Sequence, residues 1–263
     1  MQSSRKIGIL VTVTFFEKLK TKWDEGKFVC IGLDQGTFEF DKSIIDQTAD
    51  LVLAYKPQSA FYEAVENGSE QLRKTVEYIK NNHPDIPIIL DAKRGDIGNT
   101  NEAYVKAIFD ELGVDAVTVS PYLGKESLEP FIKRSDKGVI VLVKTSNPGA
   151  GEFQDLETAG KPLYQVIAEH VKQWNTNGNL AVVVGGTYPE ELKEVRKIVG
   201  DMPILVPGIG SQGGDLKATL ENGLDSNKQG LIISTSRSII NAENPRQAAE
   251  DFHNQIQEIL KNV

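Results

Sequence analysis

The chain has 263 residues, 40% hydrophobic and 25% charged, with a net charge of −8. That length supports a large core and lies near the roughly 250 residues of an eight-stranded (β/α)8 barrel. The composition excludes collagen-like, disordered and disulfide-stapled chains, and the acidic balance argues against a nucleic-acid-binding surface.

The chain opens with MQSSRKIGILVTV, a basic start followed by an apolar run from Ile7 to Val13. The run is too short to span a bilayer, and no small-x-small cleavage site follows it. Residues 1–14 therefore read as an extension or added strand ahead of a single barrel domain over 15–263, in a cytoplasmic protein with no membrane partner. A charged helix, FFEKLKTKWDEG, comes next. Eight apolar, β-branched runs then follow: 28–34, 51–57, 86–93, 116–122, 138–145, 180–186, 203–210 and 230–237. They are nearly continuous rather than alternating, as strands buried on both faces of a parallel sheet should be. Helical patterns separate most of them, at 59–82, 99–113, 125–135, 160–178, 189–200 and 213–223, and another closes the chain at 244–262. The weakest is DKSIIDQTA, 41–49. Strands alternating with helices at about 33 residues per unit predict a (β/α)8 TIM barrel.

The single cysteine, Cys30, lies inside FVCIGLD and reads as a buried, inert thiol. His83, His170 and His253 are far apart in helical or polar contexts, so neither a metal site nor Ser-His or Cys-His chemistry is expected.

In such a barrel the carboxyl ends of the strands form the active face. Here those ends carry Asp34, Lys56, Asp91 with Lys93, Ser120, Lys144 with Ser146, Gly185, Gly186, Gly208, Gly210 and Arg237. The sharpest stretch is LDAKRGDIGNT, 90–100. Residues two apart on a strand share a side, so Asp91 and Lys93 should both face the mouth, with Asp96 following a turn at Gly95. An ammonium between carboxylates stays protonated and serves as an acid or an electrostatic stabiliser. Lys56 would add a second cation.

LDAKRGDIGNT resembles the signature of orotidine 5′-phosphate decarboxylases, in the bacterial subgroup with Ala-Lys-Arg-Gly between the aspartates. YKPQSAFYE, TVSPYLG, VKTSNPGAGEFQDL, VVVGGTYPEEL and VPGIGSQGGDL are similar to that subgroup as well, so the resemblance runs from about Phe15 to Lys261. It implies a catalytic array of Lys56, Asp91, Lys93 and Asp96. It also implies a homodimer with shared sites, in which Asp96, Ile97 and Thr100 act across the interface. The implied reaction converts orotidine 5′-monophosphate to uridine 5′-monophosphate and CO2 in de novo pyrimidine biosynthesis, without metal or organic cofactor. Lys93 would deliver a proton to C6. By the same resemblance Ser146 meets the pyrimidine amide, Asp34 and Lys56 the ribose hydroxyls, and Thr100 the ribose from the other subunit. Pro207 and Ile97 join an apolar pocket, and Gln212 reaches the phosphate.

GIGSQG, 208–213, satisfies Gly-x-Gly-x-x-Gly, yet it follows the seventh strand and has no acidic residue about twenty positions on, so a dinucleotide site is disfavoured. Loops after strands seven and eight of barrels commonly bind phosphate, which assigns Gly210 and Arg237 to that end. The sixteen-residue loop 147–162 is long enough to suggest a lid. A shorter resemblance competes: VKTSN is similar to the Schiff-base segment of deoxyribose-phosphate aldolases, with Lys144 as the imine-forming amine. A binding-only barrel is the non-enzymatic alternative.

Overall fold

The computed structural model describes residues 13–210 and 213–263. The expected extension over 1–14 therefore lies almost wholly outside the described residues, and so does Gln212. Eight parallel strands form one sheet: β1 Val29–Leu33, β2 Val52–Pro57, β3 Ile89–Arg94, β4 Ala116–Val119, β5 Gly138–Lys144, β6 Leu180–Val184, β7 Ile204–Pro207 and β8 Leu231–Thr235. Their order is β2-β1-β8-β7-β6-β5-β4-β3. Single parallel bridges, Tyr55 to Ile88 and Gln58 to Asp91, draw β2 against β3 and complete the ring. This is the predicted barrel. β1, β2, β4, β6 and β8 are buried at every position because helices cover the outside and side chains fill the inside.

The helix α1, Phe15–Asp24, begins with a capping box in which Thr14 and Glu17 satisfy each other's backbone N–H groups. It closes the floor of the barrel. Phe15 is buried against the start of β5, where a side chain at Gly138 would strike its ring. Trp23 Nε1 donates to the Leu231 carbonyl at 2.8 Å, and Lys18 pairs with Asp115 at 3.0 Å.

The segment expected to be the weakest helix is instead a three-turn helix, α2 Phe38–Thr48, which starts earlier and buries Ile44, Ile45 and Thr48. The single helix expected over 59–82 is two, α3 Ser59–Glu63 and α4 Gly68–Asn82. Asn67 takes a left-handed conformation between them (φ 56°), and Gly68 sits so close to the Tyr62 carbonyl that no Cβ would fit. The next helix starts as α5, Gly98–Val105, then widens into a π-helical stretch, Lys106–Leu112, which ends at left-handed Gly113. Lys125–Ile132, Leu163–Trp174, Pro189–Val199, Leu216–Gly223 and Pro245–Leu260 occupy the other expected helical positions. No helix among the described residues is long and apolar enough to cross a membrane.

Candidate active site

Asp91, in the middle of β3, is the centre of a cluster of charged and polar side chains. Its Oδ2 accepts from Lys56 Nζ at 3.0 Å, and its Oδ1 accepts from Lys93 Nζ at 2.7 Å and from Thr118 Oγ1 at 2.8 Å. Burial alone would raise the Asp91 pKa, but the two ammonium groups and these hydrogen bonds outweigh it and hold the carboxyl well below the usual range. Lys56 is buried too. Desolvation would lower its pKa, yet the Asp91 and Asp34 carboxylates prevail and keep it above the ordinary lysine value. Both groups are therefore charged at neutral pH.

Asp91 and Lys93 do face the same side, but not for the reason that strand alternation gives. The β3–β4 register breaks between Leu90 and Arg94, and Lys93 adopts φ 45°. The strand bulges there, and the bulge re-aims the lysine. Its N–H, released from the ladder, donates to Thr118 Oγ1 at 3.0 Å. The Lys93 side chain stays 47% exposed against 7% for Lys56, so Lys93 is the ammonium free to approach a ligand.

The array lies in a cavity of about 990 Å³ at the carboxyl ends of the strands. Of the expected site residues, Asp34, Lys56, Asp91, Lys93, Ser146, Pro207 and Arg237 line it together. Among the described residues, one oxygen of Asp34, Oδ1, is buried without a partner. Ser146 is held by close packing on Gly185, where a Cβ would come within 2.7 Å of the serine backbone. Sequence reasoning had not singled out Thr118, Gln58, Asn147 or Gln154, which share the cavity wall.

Residues 27–252 match the orotidine 5′-phosphate decarboxylase / HUMPS family. The chain is 47% identical over 253 residues to an orotidine 5′-phosphate decarboxylase of Cupriavidus metallidurans, covering 90% of this chain and 93% of that protein. Among solved structures it resembles an OMP decarboxylase of Leishmania donovani (TM-score 0.89, 38% identity), covering 95% of this chain and all of that one. It also resembles the UMP synthase of that organism (TM-score 0.91, 40% identity), covering 95% of this chain but only 57% of the synthase. The chain belongs to the orotidine 5′-phosphate decarboxylase family. It is a carboxy-lyase.

Other expected residues of this orotidine 5′-phosphate decarboxylase-family barrel stand apart from the cavity wall. Asp96, Ile97 and Thr100 sit on the turn after β3 and the start of α5, and none of them lines the cavity of its own chain. Asp96 accepts the Ile97 N–H, and the buried Asn101 holds the turn by bonding both the N–H and the carbonyl of Asp96. Gly210 (φ 89°) borders a smaller cavity of about 470 Å³ beside Ser238 and Phe252, while Gly208 and Ile209 reach the main one.

Lys144 was expected on the rim, and here the expectation fails. Its side chain is fully buried and turned away from the cavity, ion-paired with Asp155 and 4.5 Å from the Tyr188 ring centre. An amine so enclosed does not meet an aldehyde, which removes the aldolase reading. Arg94, inside the charged motif, also points elsewhere, to Glu63 at 3.0 Å and over the Tyr104 ring. The loop 147–162 is folded: it carries a 3-10 turn at Pro148–Ala150, a short helix at Gly151–Gln154 and a two-residue hairpin. Gln154 and Asp155 pin it to Thr145 and Lys144.

Proposed function

We propose that the chain decarboxylates orotidine 5′-monophosphate to uridine 5′-monophosphate in de novo pyrimidine biosynthesis in the cytoplasm, as a member of the bacterial subgroup with Asp-Ala-Lys-Arg-Gly-Asp. The observation that carries this reading is one buried carboxylate, Asp91, clamped between two ammonium groups on the cavity wall. The C6–carboxylate bond breaks, CO2 departs, and the electron pair stays on C6. A fixed ammonium stabilises that developing charge more than it stabilises the ground state. Lys93, the more exposed cation, gives C6 a proton and is reprotonated from solvent. Asp91 orients it and faces the departing carboxylate, and Lys56 keeps Asp91 ionised. The step needs neither metal nor organic cofactor.

Arg237, at the start of a four-residue helix after β8, supplies the charge for the phosphate, with Gly210 and Gln212 completing that end. Ser146 takes the pyrimidine amide, Asp34 and Lys56 the ribose, and Pro207 the apolar side of the departing group. Asp96, Ile97 and Thr100 serve the second site of a homodimer. In support, Ile97, next to Asp96 on the loop after β3, and Tyr122, on the loop after the paired strand β4, are large, exposed hydrophobic side chains (57% and 90%).

The test is the ultraviolet absorbance change on mixing the protein with orotidine 5′-monophosphate. Conversion is expected with the wild type. Lys93→Ala should still bind uridine 5′-monophosphate while losing nearly all turnover. Ordinary turnover in that variant sinks the role given to Lys93.

A further inference from the structure

Thr118 is buried at the centre of β4 and has no place in the charged array, yet its hydroxyl joins both halves of it. It accepts the Lys93 N–H at 3.0 Å and stands 2.8 Å from Asp91 Oδ1. A hydroxyl has one hydrogen to give. Because the Lys93 amide is itself the donor in the first contact, that hydrogen is committed to Asp91. Threonine is stiff about χ1, so the backbone of β4 fixes the direction of the bond.

We propose that Thr118 is the positioning residue of this site, a single side chain that sets the Asp91 carboxylate and the bulged Lys93 backbone in register with each other. The inference rests on the decarboxylase reading above. Its reasoning starts from the bulge. With the β3–β4 ladder interrupted, no strand carbonyl receives the Lys93 N–H, and the Thr118 hydroxyl substitutes for one. The same atom gives Asp91 Oδ1 a second donor beside Lys93 Nζ, so the carboxylate plane is defined by contacts on both oxygens. Without the hydroxyl, Asp91 keeps two ammonium partners, but the lysine stem leaves from a backbone that is no longer tethered. The result should be a misplaced proton donor in a site that still binds nucleotide. Misplacement by a fraction of an ångström penalises the chemical step far more than binding.

The experiment compares Thr118→Val, which keeps the shape and removes the hydroxyl, with Thr118→Ser, which keeps the hydroxyl. Steady-state decarboxylation, calorimetric binding of uridine 5′-monophosphate and thermal melting are measured on the full chain. The valine variant should lose about 10- to 100-fold in kcat, the range for a hydrogen bond to a charged group. Its KM and nucleotide affinity should stay within about threefold of wild type, and serine should recover most of the rate. A valine variant within about twofold of wild-type kcat overturns the proposal, as does a serine variant equally slow, which would place the effect in packing. Should valine prevent folding, Thr118→Ala against Thr118→Ser gives the same decision. A wild type that leaves orotidine 5′-monophosphate unchanged overturns the decarboxylase reading instead. Thr118 is then judged by hydrogen exchange: faster exchange of the Lys93 amide in the valine variant upholds the tether, and unchanged exchange removes it.

Discussion

Two buried aspartates in this barrel show how partners decide the fate of a carboxyl group. Asp91 has two ammonium neighbours and is held ionised. Asp41, on α2, is fully buried and among the described residues has only the hydroxyls of Tyr62 (2.6 Å) and Thr75 (2.8 Å) as donors, and burial pushes its pKa up to about 6. Since the folded value lies above the unfolded one, protonation of Asp41 favours the native state. That stability is fully present below about pH 4, is lost as pH rises through about 6, and amounts at most to about 3 kcal/mol. Asp41→Asn should remove this dependence. Its stability relative to wild type should therefore be greater at pH 7.5 than at pH 4.5, as urea titrations at the two pH values will show. An equal difference at both would mean that Asp41 is not the titrating group. At this scale charged residues inside apolar runs stood out in the sequence, and Lys56, Asp91 and Lys93 were legible for that reason. Thr118 and Asn101 were not, because a threonine in a strand and an asparagine in a helix are unremarkable until their partners on other elements are in place.

Among the elements, α1 and the segment after β5 work at opposite ends of the barrel. Phe15 fills the floor, so Phe15→Ala should cost about 3–5 kcal/mol in stability while leaving turnover per folded molecule intact. Chemical denaturation beside an activity assay separates the two effects, and a fall in kcat would mean that the floor communicates with the mouth. The Lys144–Asp155 pair makes a different prediction. Asp155→Ala strands a buried ammonium and should destabilise the fold by up to about 3 kcal/mol; Lys144→Met, which removes the charge itself, should cost less. Melting temperatures of the two variants give the order. The eight strands were readable because a fully buried parallel strand is apolar throughout. Helix interruptions were not: the break at Asn67 depends on Gly68 resting against the Tyr62 carbonyl, a contact that hydrophobic periodicity does not encode. Nor did position at a strand end reveal that Lys144 turns outward, since both directions are open to a side chain where the strand gives way to its loop.

For the molecule as a whole, the net charge of −8 is a poor guide to the ligand, because Lys56, Lys93 and Arg237 gather in one cavity. Local field, focused by the walls of a cleft, governs what enters it. The placement of Asp96 outside its own chain's cavity wall leads to a prediction about assembly. If each site borrows Asp96 from a partner, mixing inactive Asp96→Ala and Lys93→Ala proteins should produce hybrid dimers with one intact site. Random exchange at equal amounts would restore about a quarter of wild-type activity. Mixtures that stay inactive after subunit exchange would show that the sites are independent.

The bulge at Lys93 also bears on how this protein could be engineered. A lysine with positive φ holds a backbone conformation that costs it about 1 kcal/mol or more, and one that glycine adopts freely. The Lys93–Asp91 pair, whose carboxylate is buried, works against the gain from glycine there, while Lys56 would remain to hold Asp91 ionised. A campaign that selected variants for heat resistance alone has nothing to protect Lys93, and on the reading proposed above its loss removes the proton donor. Thermostabilisation of this fold has to be scored on turnover from the first round.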